Sequence, residues 1–579
     1  MSQMQARPGA PAAPSPAAAT DPPMRALLRL PIRPASGPPA AEPIVVARPD
    51  GGASGGATAA SAAPDGAAAG TAGTRPASRT AARILAAALA AASASACMVG
   101  PDFQGATPPV ARYTREGLRD PAVGAEDRRN GAVAQAFAPG RDVPGEWWTL
   151  FRSRALNSLV AEALARNPTL EAAQAALRAA RATTEAQRGA LFPQVAFAAQ
   201  SSYNKAPGGE LQSPLNDNSL LYSLVTPQVT VSFAPDVFGG TRRALESQAA
   251  QEEVQRWQLE AAYLTLTANV VAAAIQEAAL RAQIAATEKV IQAQTELLSL
   301  ITKQSDAGQV AGADVVQQTA LLAQSQQLLP PLQRALAQQR NLLTALAGRF
   351  PSEEVSQTFT LASLHLPRSL PVSLPSRLIE QRPDVKAAEA AVHAASAQVG
   401  VAVANRLPQF TISGAVGASA TNFAALLNPA ASLWTIAGAV AQPLFDAGTL
   451  FRRQQAAEEN LGAAQAQYRA TVIAAYQNVA DALRALQADG RAVAAANAAV
   501  KASQQSVELV RKQFGLGAVS SASLLITQSA YLQAVVTQAQ AQASQYADTA
   551  ALFQALGGGW WNRRDVAPAR DPKDPAPFL

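Results

Sequence analysis

The landmarks of this 579-residue chain occur twice, at a nearly fixed distance. Asn167-Pro168 and Arg382-Pro383 lie 215 positions apart, as do Pro193-Gln194 and Pro408-Gln409. Gly240-Thr241 and Gly448-Thr449 are offset by 208. Lys303-Gln304…Gly308-Gln309-Val310 and Lys512-Gln513…Gly517-Ala518-Val519 are offset by 209. Near-constant offsets over separate landmarks indicate an internal duplication, so both halves must fold alike.

Each half reads helix, strand, strand, long helix, tip, returning helix. Residues 155–190 predict a helix with an early break at Asn167-Pro168. From Thr241 to about Leu300 neither Pro nor Gly interrupts a run rich in Gln, Ala, Glu and Leu. About 60 residues at 1.5 Å each make a helix of roughly 90 Å. Gly308 and Gly312 mark a turn, and a second helix returns to about Leu346, with a kink expected at Pro330-Pro331. In the second half Tyr468, Val472, Ala475, Val479, Leu483 and Leu486 are spaced 4, 3, 4, 4, 3, a coiled-coil seam.

Between the helices the period changes to two. The larger apolar side chains alternate from Gln194 to Ala199. Val229, Val231 and Phe233 share one face of the next strand; Gln228, Thr230 and Ser232 share the other. Phe410, Ile412 and Val416 mark a third strand, and Trp434, Ile436 and Val440 a fourth. Strands of about ten residues cross a bilayer when tilted, and this alternation suits lipid on one side and water on the other. Four strands cannot close a barrel, and lipid forbids an open edge. Other copies of the chain must therefore complete it. A dimer's eight strands would enclose a side-chain-filled interior, whereas a trimer's twelve would leave a passage.

The amino-terminal third carries an address. Arg75, Arg79 and Arg83 precede the short apolar run Ile84–Ala92 and the small residues before Cys97, the chain's single cysteine. This is a secretory signal, too short to span a bilayer, and a cysteine directly after the cut is the acceptor for a lipid thioether. Residues 1–96 hold eight of the arginines and four acids, which leaves only +2 of the chain's +6 for the rest. So small a charge gives no basis for nucleic-acid binding. One cysteine excludes internal disulfides and cysteine zinc sites. His365 and His393 are expected on solvated surface, and no Ser/His/Asp triad, phosphate loop or HExxH occurs. No cofactor, metal or enzymatic activity is expected.

Taken in order, several motifs resemble the outer-membrane efflux channels of TolC/NodT type. They are Cys97-Met98-Val99-Gly100-Pro101-Asp102-Phe103, Trp147-Trp148-Thr149-Leu150-Phe151, Phe238-Gly239, Leu374-Pro375-Ser376 with Arg382-Pro383-Asp384-Val385, and the closing Ala555-Leu556-Gly557-Gly558-Gly559-Trp560. The resemblance covers roughly residues 97–561. It implies a mainly α fold with a transmembrane β-barrel portion: a homotrimer with a twelve-stranded outer-membrane barrel over a long periplasmic coiled-coil α-barrel. It implies tip-first docking onto a periplasmic membrane-fusion adaptor served by an inner-membrane efflux transporter. The implied role is a passive exit duct for small molecules, carried by a lipoprotein acylated at Cys97. An exit duct of a type I polypeptide secretion system is the alternative.

The expected segments are a disordered leader (1–74), which reads as an over-extended start, and a lipoprotein signal peptide (75–96). A lipid-anchored extended tether (97–145) precedes the first repeat (146–347). A connecting segment (348–373), the second repeat (374–561) and a disordered tail (562–579) complete the chain. By the resemblance the docking tips are Gly308, Val310 and Asp314 in the first half and Gly517 and Val519 in the second. Relatives place carboxylates that close the periplasmic mouth where this chain has Ser523 and Ile526. The constriction is therefore assigned to Ser523, Leu524 and Ile526, closed by polar and apolar contacts rather than by acids.

Overall fold

The computed structural model describes residues 98–105, 112–114, 135–205, 221–373 and 375–564. All of them belong to the unit Pro76–Leu579. The leader, the signal, Cys97, the loop containing Pro207 and Asn216, and the end of the tail lie outside the described residues.

The duplication sets the architecture. In the first half α1 (Arg154–Arg166) and α2 (Pro168–Arg188) are separated at Asn167, whose side chain caps α2 by accepting from Thr169 N–H. Strands β2 (Gln194–Lys205) and β3 (Leu221–Phe233) follow. They lead into α3 (Gly240–Asp306), 67 residues long, and the returning α4 (Gly312–Leu346). At 1.5 Å per residue α3 measures about 100 Å. Pro330 and Pro331 lie inside α4 without ending it.

The second half repeats this. The short α5 (Pro375–Gln381) and then α6 (Pro383–Ala404) lead to β5 (Gln409–Ala418) and β6 (Ser432–Ala441). Then come α7 (Thr449–Gly515), also 67 residues, and α8 (Ser521–Ala555). All six residues of the seam read in α7, from Tyr468 to Leu486, are buried.

Near the strands the helices lie side by side as α2, α3, α6, α7; toward the tips the order becomes α4, α3, α8, α7. The largest core gathers around the joint between these two layers. Trp147, Phe151 and Phe553 are fully buried there, and the Trp147 and Phe553 rings stand 5.6 Å apart.

Three expectations need correction. The segment read as an extended tether contains β1 (Ala136–Pro139), and the connecting segment contains β4 (Ser369–Val372). The two pair in parallel, Ala136 opposite Ser369, a register that four-residue strands 233 positions apart do not announce. The tail does not begin at 562. Asn562 Nδ2 donates to the Val143 carbonyl (2.7 Å), and Arg563 pairs with Glu260 (3.0 Å), its guanidinium 3.5 Å from the Tyr263 ring centroid. His393 is half-buried rather than solvated. Its ring stacks on Phe103 at 4.6 Å, with Nε2 2.9 Å from Glu246 Oε1. His365 is exposed, as expected.

Candidate functional site

The sheet is antiparallel in the order β2-β3-β5-β6. Its register carries the alternation of each strand across to the next. Val195, Val231, Gly414 and Ile436 form one row, and Phe197, Val229, Val416 and Trp434 the next. These side chains share one face. The rows between them place Gln194, Ser232 and Ser413 on the other face, and Thr230 joins Ala196 and Ala415 there.

The apolar face is bare. Phe197 is 71% exposed, Trp434 75% and Ile436 77%. A patch of that size is costly in water and at home in hydrocarbon. Among the described residues β2 and β6, at the margins of the sheet, pair on one side only, and unpaired backbone groups in lipid cost several kcal/mol each.

The tips are built alike. Gly308 (φ 74°) and Gly517 (φ 72°) both adopt the left-handed conformation, and a Cβ at either would meet nothing within 4 Å. It is therefore the backbone angle, not crowding, that favours glycine there. The hydrogen bonds repeat: Gln309 N–H donates to the Gln304 carbonyl and Ala518 N–H to the Gln513 carbonyl, at 2.8 and 2.9 Å. Val310 and Val519 are half-buried behind the glycines, and Asp314 sits in the first turn of α4.

The residues assigned to the constriction separate. Leu524 is wholly buried against Leu297 and Ile301, so it holds the two hairpins together. Ser520 caps α8, its hydroxyl accepting from the N–H of Ser523, the third helical residue. Ile526 is 71% exposed and presents its side chain outward.

The residues behind Cys97 are clamped at the junction of strands and helices. Arg243, 2% exposed near the start of α3, donates to the Val99 carbonyl (3.1 Å), Asp102 (2.6 Å) and Glu246 (2.8 Å). Gly100 (φ 97°) lies against Gly400, where a Cβ would come within 2.5 Å of the Gly400 Cα. Val99 N–H donates to the Phe238 carbonyl, five residues beyond the end of β3. Sequence reasoning missed this clamp. Its signal was an arginine in the first turn of the long helix in both halves, Arg243 and Arg452.

It also missed two aspartates. Asp236 accepts from Thr241 and Arg242 N–H, and Asp446 from Gly448 and Leu450 N–H. Each satisfies orphan donors at the start of a 67-residue helix. Those backbone bonds, led by Leu450 N–H, lower the Asp446 pKa. Among the described residues no cluster of His, Cys, Asp and Glu is arranged to hold a metal ion.

The comparisons agree with this geometry. A model of the family described as outer membrane efflux protein matches residues 159–349 and 374–558. The pyoverdine export outer membrane protein OpmQ of Pseudomonas putida is 30% identical over 416 residues, covering 72% of this chain and 88% of that protein. The antibiotic efflux pump outer membrane protein ArpC of Pseudomonas putida is 26% identical over 475 residues, 81% of this chain and 94% of its own. Among solved structures the outer-membrane channel OprN aligns with a TM-score of 0.71 at 27% identity, over 80% of this chain and all of that one.

Proposed function

The chain belongs to the outer membrane efflux protein family, and we propose that it works as a trimeric, lipid-anchored exit duct for small molecules. It is an outer-membrane efflux channel with a large periplasmic portion. The observation that carries the finer reading is the sheet. One apolar face is continuous over four strands, and both margins are unpaired. Three copies joined margin to margin give twelve strands around a water-filled passage.

The rest of the proposal follows from where the helices end. The hairpin tips at Gly308 and Gly517 are the surface offered to a periplasmic adaptor, which an inner-membrane transporter loads. Acylation of Cys97 fixes the amino terminus in the outer membrane. The clamp at Val99–Asp102 supports this, because it holds the chain just behind Cys97 beside the end of β3. The duct supplies a route and no catalysis; selection of cargo belongs to the transporter.

The test combines two measurements. Native mass spectrometry of the detergent-solubilised chain should find three copies, each with an acylated amino-terminal cysteine. Deleting the gene should raise the host's sensitivity to small toxic compounds and leave polypeptide secretion intact. A conducting monomer would refute the trimer, and loss of a secreted polypeptide instead of drug resistance would favour type I secretion.

A further inference from the structure

The duplication lets a contact made inside one chain predict a contact between chains. After β3 the turn Ala234–Gly240 carries the backbone into α3, and after β6 the turn Pro443–Thr449 carries it into α7. The ends of the turns correspond at an offset of 209, one more than the Gly240–Gly448 match read in the sequence, because the glycines that cap the helices are Gly239 and Gly448; between those ends the capping aspartates, Asp236 and Asp446, are offset by 210. Gly239 and Gly448 cap the two helices at φ 79° and 81°, and Ser232 opposite Gln194 corresponds to Ala441 opposite Gln409.

Their surroundings differ completely. The first turn is seated on the corner between α6 and β5. Phe238 meets Phe410 at 6.3 Å, and a small pocket of about 250 Å³ separates the turn from Val401 and Pro408. A Cβ on Gly240 would stand 3.0 Å from the Ala404 Cβ, so the glycine belongs to the contact. Among the described residues, nothing covers the second turn. Leu444 is 95% and Phe445 91% exposed, though both are large and apolar.

The corner equivalent to α6–β5 is α2–β2, at an offset of 215. Within one chain it cannot be reached, because β2 and β6 are opposite margins of the sheet, and near it α2 and α7 are opposite margins of the helical layer. Its residues fit the second turn. Ala404 corresponds to Gly189, whose Cβ position is empty within 4 Å, and Gly240 corresponds to Thr449. The glycine has changed sides: glycine on the turn against alanine on the corner becomes threonine on the turn against glycine on the corner. Phe192, in the same corner, is 45% exposed.

We propose that the turn Pro443–Thr449 docks on the corner Ala186–Val195 of a second copy of this chain, with Thr449 over Gly189 and with Leu444 and Phe445 covered by the contact. The proposal rests on the trimer reading and adds the site that sets the spacing of helices below the barrel. Gly189 has ordinary helical angles (φ −55°, ψ −27°), so a side chain there leaves the protomer unstrained and blocks only the neighbour.

The experiment uses the full-length chain in detergent. In Gly189→Cys/Thr449→Cys, oxidation should yield covalent dimers and trimers on a denaturing gel; the parent, whose only cysteine is Cys97, sets the background. The pair Gly240→Cys/Ala404→Cys should close within one chain and leave the ladder absent. Gly189→Leu should lose the SDS-resistant trimer while keeping its helical circular dichroism. A trimer by native mass spectrometry that neither cross-links through the first pair nor weakens in Gly189→Leu would overturn the docking and leave the trimer standing. A monomer by native mass spectrometry would overturn both.

Discussion

Asp489 on α7 and Asp548 on α8 face each other across the second hairpin, and burial followed by the charge of Asp548 raises the Asp489 pKa to about 7. At an offset of 209 the first half has Leu280 and Gln339 at these positions, so the pair belongs to one hairpin only. An unperturbed aspartate titrates near 3.8. Between about pH 4 and pH 7 the folded chain therefore keeps a proton that the unfolded chain has released. Stability falls as pH rises through that window and is level above it. Asp489→Asn should abolish this slope and stabilise the protein above pH 7 by about 1 to 2 kcal/mol, allowing for solvent screening of a half-buried pair. Thermal unfolding followed across the window checks it. An unchanged slope would mean that the two carboxylates do not share a proton.

The first hairpin holds its charge differently. Glu277 on α3 is fully buried; its Oε1 accepts from Arg281 (2.7 Å) and Arg340 (3.0 Å). Arg340 goes on to bind the Val355 and Gln357 carbonyls and Glu354, which ties α3 and α4 to the chain after α4. Removing Glu277 takes the shared acceptor from both arginines, although Arg340 keeps Glu354 and two carbonyls and Arg281 reaches solvent. Glu277→Ala should therefore cost about 1.5 to 3 kcal/mol, the range for hydrogen bonds to a charged group. Arg340→Ala should cost more than Glu277→Ala, because it also frees the Val355 and Gln357 carbonyls, and denaturant unfolding in detergent can read the difference.

How much of this was legible follows from range. The long helices and tips were readable because the missing Pro and Gly, the seam from Tyr468 to Leu486 and the 209-residue echo are local signals that tertiary packing does not contradict. The strands were readable because lipid demands alternation. The β1–β4 pair was not, since Phe137 and Leu370 meet only after the 232 residues between them have folded. The clamp was hidden for the same reason: nothing near Arg243 in sequence shows that Val99 and Asp102 reach it. At the tips, the resemblance pointed to Leu524 and Ile526 but not to which way each points. That depends on the phase of α8 against α3, which buries one and exposes the other.

The Arg243 clamp predicts a local effect. Arg243→Ala removes the bonds that hold Val99–Asp102, while α3 keeps its Asp236 cap. Hydrogen bonds to a charged group contribute about 1.5 to 3 kcal/mol, so stability should fall by about 2 kcal/mol. Hydrogen exchange should rise at Met98–Gly105 and around Phe238, and the hairpin tips should be unaffected. Arg243→Lys should restore little, since one ammonium cannot reproduce the fork to Val99, Asp102 and Glu246. Protection at Val99 that survives Arg243→Ala would show that the Val99–Phe238 hydrogen bond and the Gly100–Gly400 approach hold the segment without the arginine.

The last prediction concerns the periplasmic mouth. At the positions where the resemblance implies acids, Ser523 gives its N–H to the Ser520 cap of α8 and Ile526 is apolar and exposed. A mouth closed by carboxylates would show repulsion at neutral pH and bridging by divalent cations. Closure by packing would show neither. Leu524 against Leu297 and Ile301 supplies the packing inside each protomer, and Ile526 is exposed. Single-channel conductance in planar bilayers should therefore change little with magnesium in the unmodified chain. Ile526→Asp places one carboxylate per protomer at the exposed position and should introduce block by magnesium that is relieved at acid pH. Ser523→Asp should do so only weakly, because an acid at the third position of α8 is drawn back toward the helix amino terminus. Leu524→Asp would bury a charge in the tip core and should raise the resting conductance by loosening the hairpins. Strong magnesium block already present in the unmodified channel, and lost in Asp314→Asn, would place the gate on the first tip and overturn closure by packing.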